Sequence, residues 1–184
     1  MALHTATEVA VGIPGAVRSK DDYCRLLLSS LAFYTAARTA LSDSRWIEGW
    51  EIVGIDVGIH DRVSLLEHDL RMLGRNPSSS PLPPLRIDTF SHALGLLYVV
   101  EGSSLGGRLI GPAIVNAIGS VPISFYLGHQ RRHPAPWRAV LAALARYESA
   151  NSNLDVDLDG VVVGATRAFI AFGKTVSINR TLAA

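Results

Sequence analysis

The chain has 184 residues, 48% of them hydrophobic, with a mean hydropathy of +0.26, which is ample for one domain holding a large core or a core plus an apolar cavity. Net charge is only +1, and the 17 basic residues include just Lys20 and Lys174 as lysines; this excludes the basic stripe that a nucleic-acid binder needs, so no nucleic acid is expected as a partner. Cys24 is alone, which excludes an intramolecular disulfide or a cysteine-rich metal site, suits a reducing compartment, and reads as a buried small hydrophobe.

The N-terminus, MALHTATEVAV, carries His4 and Glu8 where a secretory signal would have a basic region and a long apolar run. On a helix those two residues lie one turn apart on one face, so the carboxylate can orient an imidazole; the same spacing is also common among solvated surface neighbours. Ser19 followed by Asp22 is close to a capping box. After it Tyr23, Leu26, Leu27, Leu31, Tyr34 and Leu41 repeat at helical steps, giving a long amphipathic helix. Val63, Leu66, Leu70 and Leu73 mark a second helix over Asp61 to Gly74, and the proline- and serine-rich stretch Asn76 to Pro84 must be a loop.

Asp88 is placed to cap a helix running through His92, Leu96 and Val100 until Pro112 interrupts its ladder. Pro136 suits a first helical position, with Trp137, Val140, Leu141, Leu144 and Tyr147 following, and Val161, Ala165, Phe169, Phe172 and Val176 trace a last helix. The best strand candidates, Ile52 to Ile59 and Val121 to Leu127, are short and show no βαβ rhythm, so the expected class is all-α in a single domain over residues 1–184. No apolar run of about eighteen residues is free of charge, since Leu94 to Val100 stops at Glu101 and Gly160 to Gly173 contains Arg167. No membrane contact is expected, and the location expected is cytoplasmic.

The stretch Tyr98 to Gly111, YVVEGSSLGGRLIG, admits several readings. Gly102, Ser104 and Gly106 have the G-x-S-x-G spacing of a serine hydrolase, but that elbow needs a preceding strand, then an acid and a histidine in order. The last histidine, His133, comes before Asp155, Asp157 and Asp159, so the order fails. The glycines do not make a dinucleotide fingerprint either. They could simply let two helices pack closely, yet each glycine in a helix costs roughly 1 kcal/mol against alanine, which favours a benefit such as the close approach of a flat ligand.

Taken together, these segments resemble the haem oxygenase family, most closely its bacterial, bacteriophytochrome-associated kind. The carriers are LHTATE (Leu3 to Glu8), DDYCRLLLSSLAFY (Asp21 to Tyr34), LLEHDLRMLG (Leu65 to Gly74), LYVVEGSSLGGR (Leu97 to Arg108) and TRAFIAFG (Thr166 to Gly173). The resemblance implies a helical bundle with haem between an N-terminal helix and a glycine-rich distal helix. His4 is implied as the axial ligand of the haem iron, with Glu8 behind it, and Gly102, Gly106 and Gly107 as the surface on which the macrocycle lies. It further implies oxidative cleavage of haem, both cofactor and substrate, to biliverdin, carbon monoxide and ferrous iron with O2. Electrons come from a donor such as ferredoxin or a reductase, and a bacteriophytochrome is the implied biliverdin acceptor.

Animal members carry an aspartate one residue after the first distal glycine, where it organises a water of the reaction. Here that position is Ser103, which keeps a place with Gly102 and Gly106 at the implied catalytic face. Only three residues precede His4, fewer than the family pattern has, so a frayed first turn and loosely held haem are expected. Arg138 falls near a family contact to the haem propionates, and Phe169 and Phe172 near the haem edge; a solvated helix arginine and ordinary core aromatics are the alternatives. His129 and His133, four apart beside Arg131 and Arg132, make a poor cation site. The alternatives to haem oxygenase activity are a bundle of this fold that binds haem or another ligand without turnover, and a serine hydrolase using Ser104.

Overall fold

The computed structural model describes residues 15–78, 81–128, 135–150 and 156–181. Among these the secondary structure is helical without a strand: α1 (Lys20–Leu41), α2 (Ile47–Val53), α3 (Val63–Met72), α4 (Phe90–Ile118), α5 (Ser124–Leu127), α6 (Ala135–Glu148) and α7 (Leu158–Thr181). Two 3-10 turns, Ser44–Trp46 and Val57–His60, join α1 to α2 and α2 to α3. The class read from the sequence is therefore the class observed.

Helix α1 starts where its cap predicts. The Ser19 hydroxyl accepts from the Asp22 amide at 3.1 Å, and the Asp22 carboxylate accepts from the Arg18 amide at 3.1 Å. The Ser19 hydroxyl also donates to that carboxylate, which holds its pKa below the usual range. At the other end, the Trp46 and Trp50 indoles donate to the Ala40 and Leu41 carbonyls, each at 3.1 Å, supplying donors that the helix end lacks.

Both strand candidates resolve otherwise. Ile52 to Ile59 is the end of α2, a left-handed turn at Gly54 (φ 67°) and the second 3-10 turn. Val121 to Leu127 leads into the single turn of α5. Asp69, fully buried, accepts from the Ser124 amide at 3.1 Å and the Phe125 amide at 2.9 Å, giving α5 the capping acceptor that a lone turn requires.

Helix α4 departs from expectation at both ends. Thr89, not Asp88, is its cap, accepting from the His92 amide at 3.3 Å, because Asp88 is taken by the Arg167 guanidinium at 2.8 Å. Nor does Pro112 end it. The ring removes one donor, to the carbonyl of exposed Arg108, where water can replace it, while packing carries the helix on to Ile118. Gly111 lies against Tyr126 and Ile123, and Ile114 is fully buried.

Helices α4 and α7 touch backbone to backbone. A Cβ on Gly95 would collide with the Val161 carbonyl and one on Gly164 with the His92 carbonyl, so each helix supplies a glycine where the other presses closest. Around this contact Leu94, Leu96, Leu97, Leu27, Leu66 and Val140 are fully enclosed in one continuous core.

Two predictions follow from this packing. Gly95→Ala should lose about 1–3 kcal/mol of unfolding free energy, read by chemical denaturation. Burial raises the Tyr23 and Tyr126 phenols well above their ordinary value of 10.0, the Tyr23 hydroxyl donating to the Pro122 carbonyl at 2.8 Å. Their folded pKa values being raised, the stability they contribute is complete below pH 10 and is lost as pH rises beyond it. In an alkaline titration, tyrosinate absorbance from these rings should rise together with the loss of helical circular dichroism, not ahead of it.

Candidate functional site

Along α4, Tyr98, Gly102, Leu105, Gly106 and Leu109 follow at three- and four-residue steps and share one face. On a central helix such a face should be covered, but Leu109 is 79% exposed and Leu105 46%. Gly102 and Gly106 cut a notch in this apolar stripe. A Cβ on Gly102 would sit at ordinary contact distance, 3.5 Å, from the Trp137 ring of α6. A Cβ on Gly106 would meet only its own helix's Ile110, at 3.7 Å, among the described residues. The Tyr98 and Trp137 rings, 5.2 Å apart, wall one side. The stripe offers an apolar surface with two side-chain-free positions, a shape and chemistry that suit one face of a flat, largely apolar molecule such as a porphyrin.

Gly107 has another reason to be glycine. It is buried, and a Cβ there would strike the Tyr126 carbonyl, so it lets α5 approach on a different side of the helix.

Polar groups gather at one edge of the stripe. The Ser103 hydroxyl lies 2.6 Å from the Tyr34 hydroxyl and donates its single proton to the Val100 carbonyl at 2.8 Å. Tyr34 must then be the donor to Ser103. Burial, the largest influence, raises the Tyr34 pKa and keeps the phenol neutral. Ser103 itself is exposed, so its remaining lone pair can hold a water.

Behind Ser103 lies a buried charge cluster. Glu101, 3% exposed, places Oε1 2.9 Å from His60 Nδ1 and Oε2 3.9 Å from an Arg62 nitrogen. The other Arg62 nitrogen donates to the Phe125 carbonyl at 3.3 Å. Neither His60 nitrogen has an aligned hydrogen-bond partner among the described residues, so its approach to Glu101 is close without being a directed bond. A cleft of about 170 Å³ opens beside it, lined by Tyr34, His60, Arg62, Val100 and the partly exposed pair Arg38 and Asp61.

Several expected residues fall differently. His4 and Glu8 lie outside the described residues, as do His129 and His133. Arg138 is exposed in the first turn of α6, next to Trp137. Phe169 is half-buried on α7 against the core, and Phe172 packs edge-on to Phe33 with ring centres 5.3 Å apart. Ser104 is 4% exposed in the interior of a continuous helix, with no strand before it, which overturns the nucleophile-elbow reading. In the sequence Tyr34 reads as one of an apolar helical repeat, and Glu101 carries no role. The available signal was that Glu101 is the only acid in the 29 residues of α4, set directly before the glycines.

Among the described residues, no helix is long and apolar enough to cross a membrane, and no cluster of ligating side chains could hold a metal ion by itself. No family model matches the chain. It is 30% identical over 160 residues to the heme oxygenase of Xanthomonas campestris pv. campestris (strain 8004), the match covering 83% of this chain and 87% of that protein. Its fold is similar to the crystal structure of NO- and CO-bound heme oxygenase from Neisseria meningitidis, with a TM-score of 0.68 and 20% identity over 95% of this chain and 88% of that one. The apolar, glycine-notched face of α4 thus stands in an all-helical chain that belongs to the haem oxygenase family.

Proposed function

We propose that the protein is a haem oxygenase, which opens the haem ring with O2 and external electrons to give biliverdin, carbon monoxide and ferrous iron. The observation that carries this reading is the exposed apolar stripe of α4, bared at Gly102 and Gly106 and edged by the Ser103 and Tyr34 hydroxyls. When bound, haem is the substrate and also supplies the redox-active iron at which O2 is activated.

The chain's own residues have separate tasks in this reading. His4 would ligate the haem iron, with Glu8 as the acceptor behind its ring. Gly102 and Gly106 let the macrocycle lie against helix backbone, where any larger side chain would hold it off. Trp137 and Tyr98 exclude water from one side, and Phe169 lines the haem edge. Gly107 serves indirectly by letting α5 pin the helix. Exposed Arg138 offers a propionate a cation at the rim.

Proton handling falls to Ser103 and Tyr34. Tyr34 donates to Ser103, so Ser103 can present its free lone pair to a water and hold it at the Gly102 turn. The Tyr34 phenol, kept neutral by burial, retains its proton and so fixes Ser103 as the acceptor that orients this water. The electron donor in this proposal is a ferredoxin or a reductase, the acceptor of biliverdin is a bacteriophytochrome, and the compartment is the cytoplasm.

Titration with hemin should produce a sharp Soret band, and reductant under air should then turn the solution green. A stable Soret band without bleaching would instead select a ligand-binding role. Gly106→Leu should fold normally, because among the described residues its first carbon meets only Ile110, yet bind hemin at least about tenfold more weakly, roughly 1.4 kcal/mol. Tyr34→Phe should leave the Soret band in place and slow biliverdin formation roughly 10–100-fold in single-turnover measurements.

A further inference from the structure

Glu101 directly precedes Gly102, and its carboxylate is almost fully removed from water. A buried anion is tolerated when nearby cations compensate it, and removing one partner leaves the other charge stranded. Arg62 compensates only in part, since its nearer nitrogen is 3.9 Å away and its other nitrogen serves the Phe125 carbonyl. The closest group able to carry positive charge is His60, at 2.9 Å and with its side chain 1% exposed. That imidazole has no aligned hydrogen bond of its own among the described residues, an expensive condition for a buried ring. A packing role alone would be met as well by leucine or phenylalanine.

The contact joins the 3-10 turn Val57–His60 to α4 at the residue before the notch. A side chain held at Glu101 fixes the rotation of the helix there, because Glu101, Gly102 and Ser103 are consecutive and lie about 100° apart around the axis. We propose that His60 is a positioning residue, whose buried ring, seated 2.9 Å from the Glu101 carboxylate, holds the turn of α4 that presents Gly102 and Ser103 to haem. The inference rests on the reading of that face as the haem site. His60 touches neither the stripe nor the Ser103 hydroxyl among the described contacts, and it acts through Glu101.

The test compares the full-length wild-type chain with His60→Leu and with the double variant His60→Leu/Glu101→Gln. The single variant strands the carboxylate and should lose stability. The double variant removes the stranded charge and should regain it. If His60 positions the helix, the restored double variant should still bind hemin about tenfold more weakly, with shifted absorption bands. If that variant binds hemin with wild-type affinity and wild-type bands, the positioning role is overturned and His60 serves folding only. A second measurement uses the wild type alone: titration with zinc protoporphyrin IX, a diamagnetic probe, should move the His60 ring signals in nitrogen-15 NMR. Unmoved signals in a saturated sample would overturn the proposal. Absence of any wild-type binding to hemin or the zinc probe would remove the haem-site reading itself and this inference with it.

Discussion

Three glycines of this bundle sit where a single added carbon would strike another helix's backbone, and all three contacts involve α4. Gly95 meets Val161, Gly164 of α7 meets His92, and Gly107 meets Tyr126. Backbone against backbone is the closest approach helices can make, and it fixes rotation and translation together because no side chain is there to adjust. With α4 locked by α7 on one side and α5 on another, the face through Gly102 and Gly106 is left uncovered by the described residues, in a defined orientation. The bareness of that face follows from how tightly the other faces are engaged.

The short helix α5 matters to this arrangement far beyond its size. One turn has too few internal hydrogen bonds to persist by itself. It is held by buried Asp69 at two of its amides, by Arg62 at the Phe125 carbonyl, and by Tyr23 at the Pro122 carbonyl just before it. Phe125 also packs edge-on against Tyr34 with ring centres 5.2 Å apart, which links the clamp to the hydroxyl serving Ser103. Asp69 and Arg62 therefore set the position of the Tyr126 carbonyl, and through it where Gly107 and the notch beside it come to rest.

The helices were legible because periodicity, caps and breakers are local. Ser19 and Asp22 start α1 as written in the sequence, and the apolar repeat from Tyr23 to Leu41 is its buried face. What sequence reasoning misplaced depended on distant partners. Asp88 reads as a cap until Arg167, seventy-nine positions away, claims it. Pro112 reads as a stop until Tyr126 and Ile123 hold Gly111 in register. The four glycines of the distal stretch look equivalent in sequence, yet among the described residues Gly102 and Gly106 meet only the Trp137 ring and their own helix's Ile110, while Gly107 and Gly111 face α5 or its approach. For the proposed site, the glycine motif is a local pattern on α4. The supporting cast of Tyr34, His60 and Arg62 came from elements whose juxtaposition with α4 no local pattern encodes.

The three tryptophans are distributed so that the chain carries its own optical probes. Trp46 and Trp50 spend their indole protons on the last carbonyls of α1 and sit in the scaffold, whereas Trp137 lies 3.5 Å from where a side chain on Gly102 would begin. A strongly absorbing macrocycle on α4 would quench Trp137 emission by near contact, and unfolding would release the other two indoles from their helix end. Emission intensity would thus report occupancy of the notch, and emission wavelength, which shifts when buried indoles meet water, would report the integrity of the bundle.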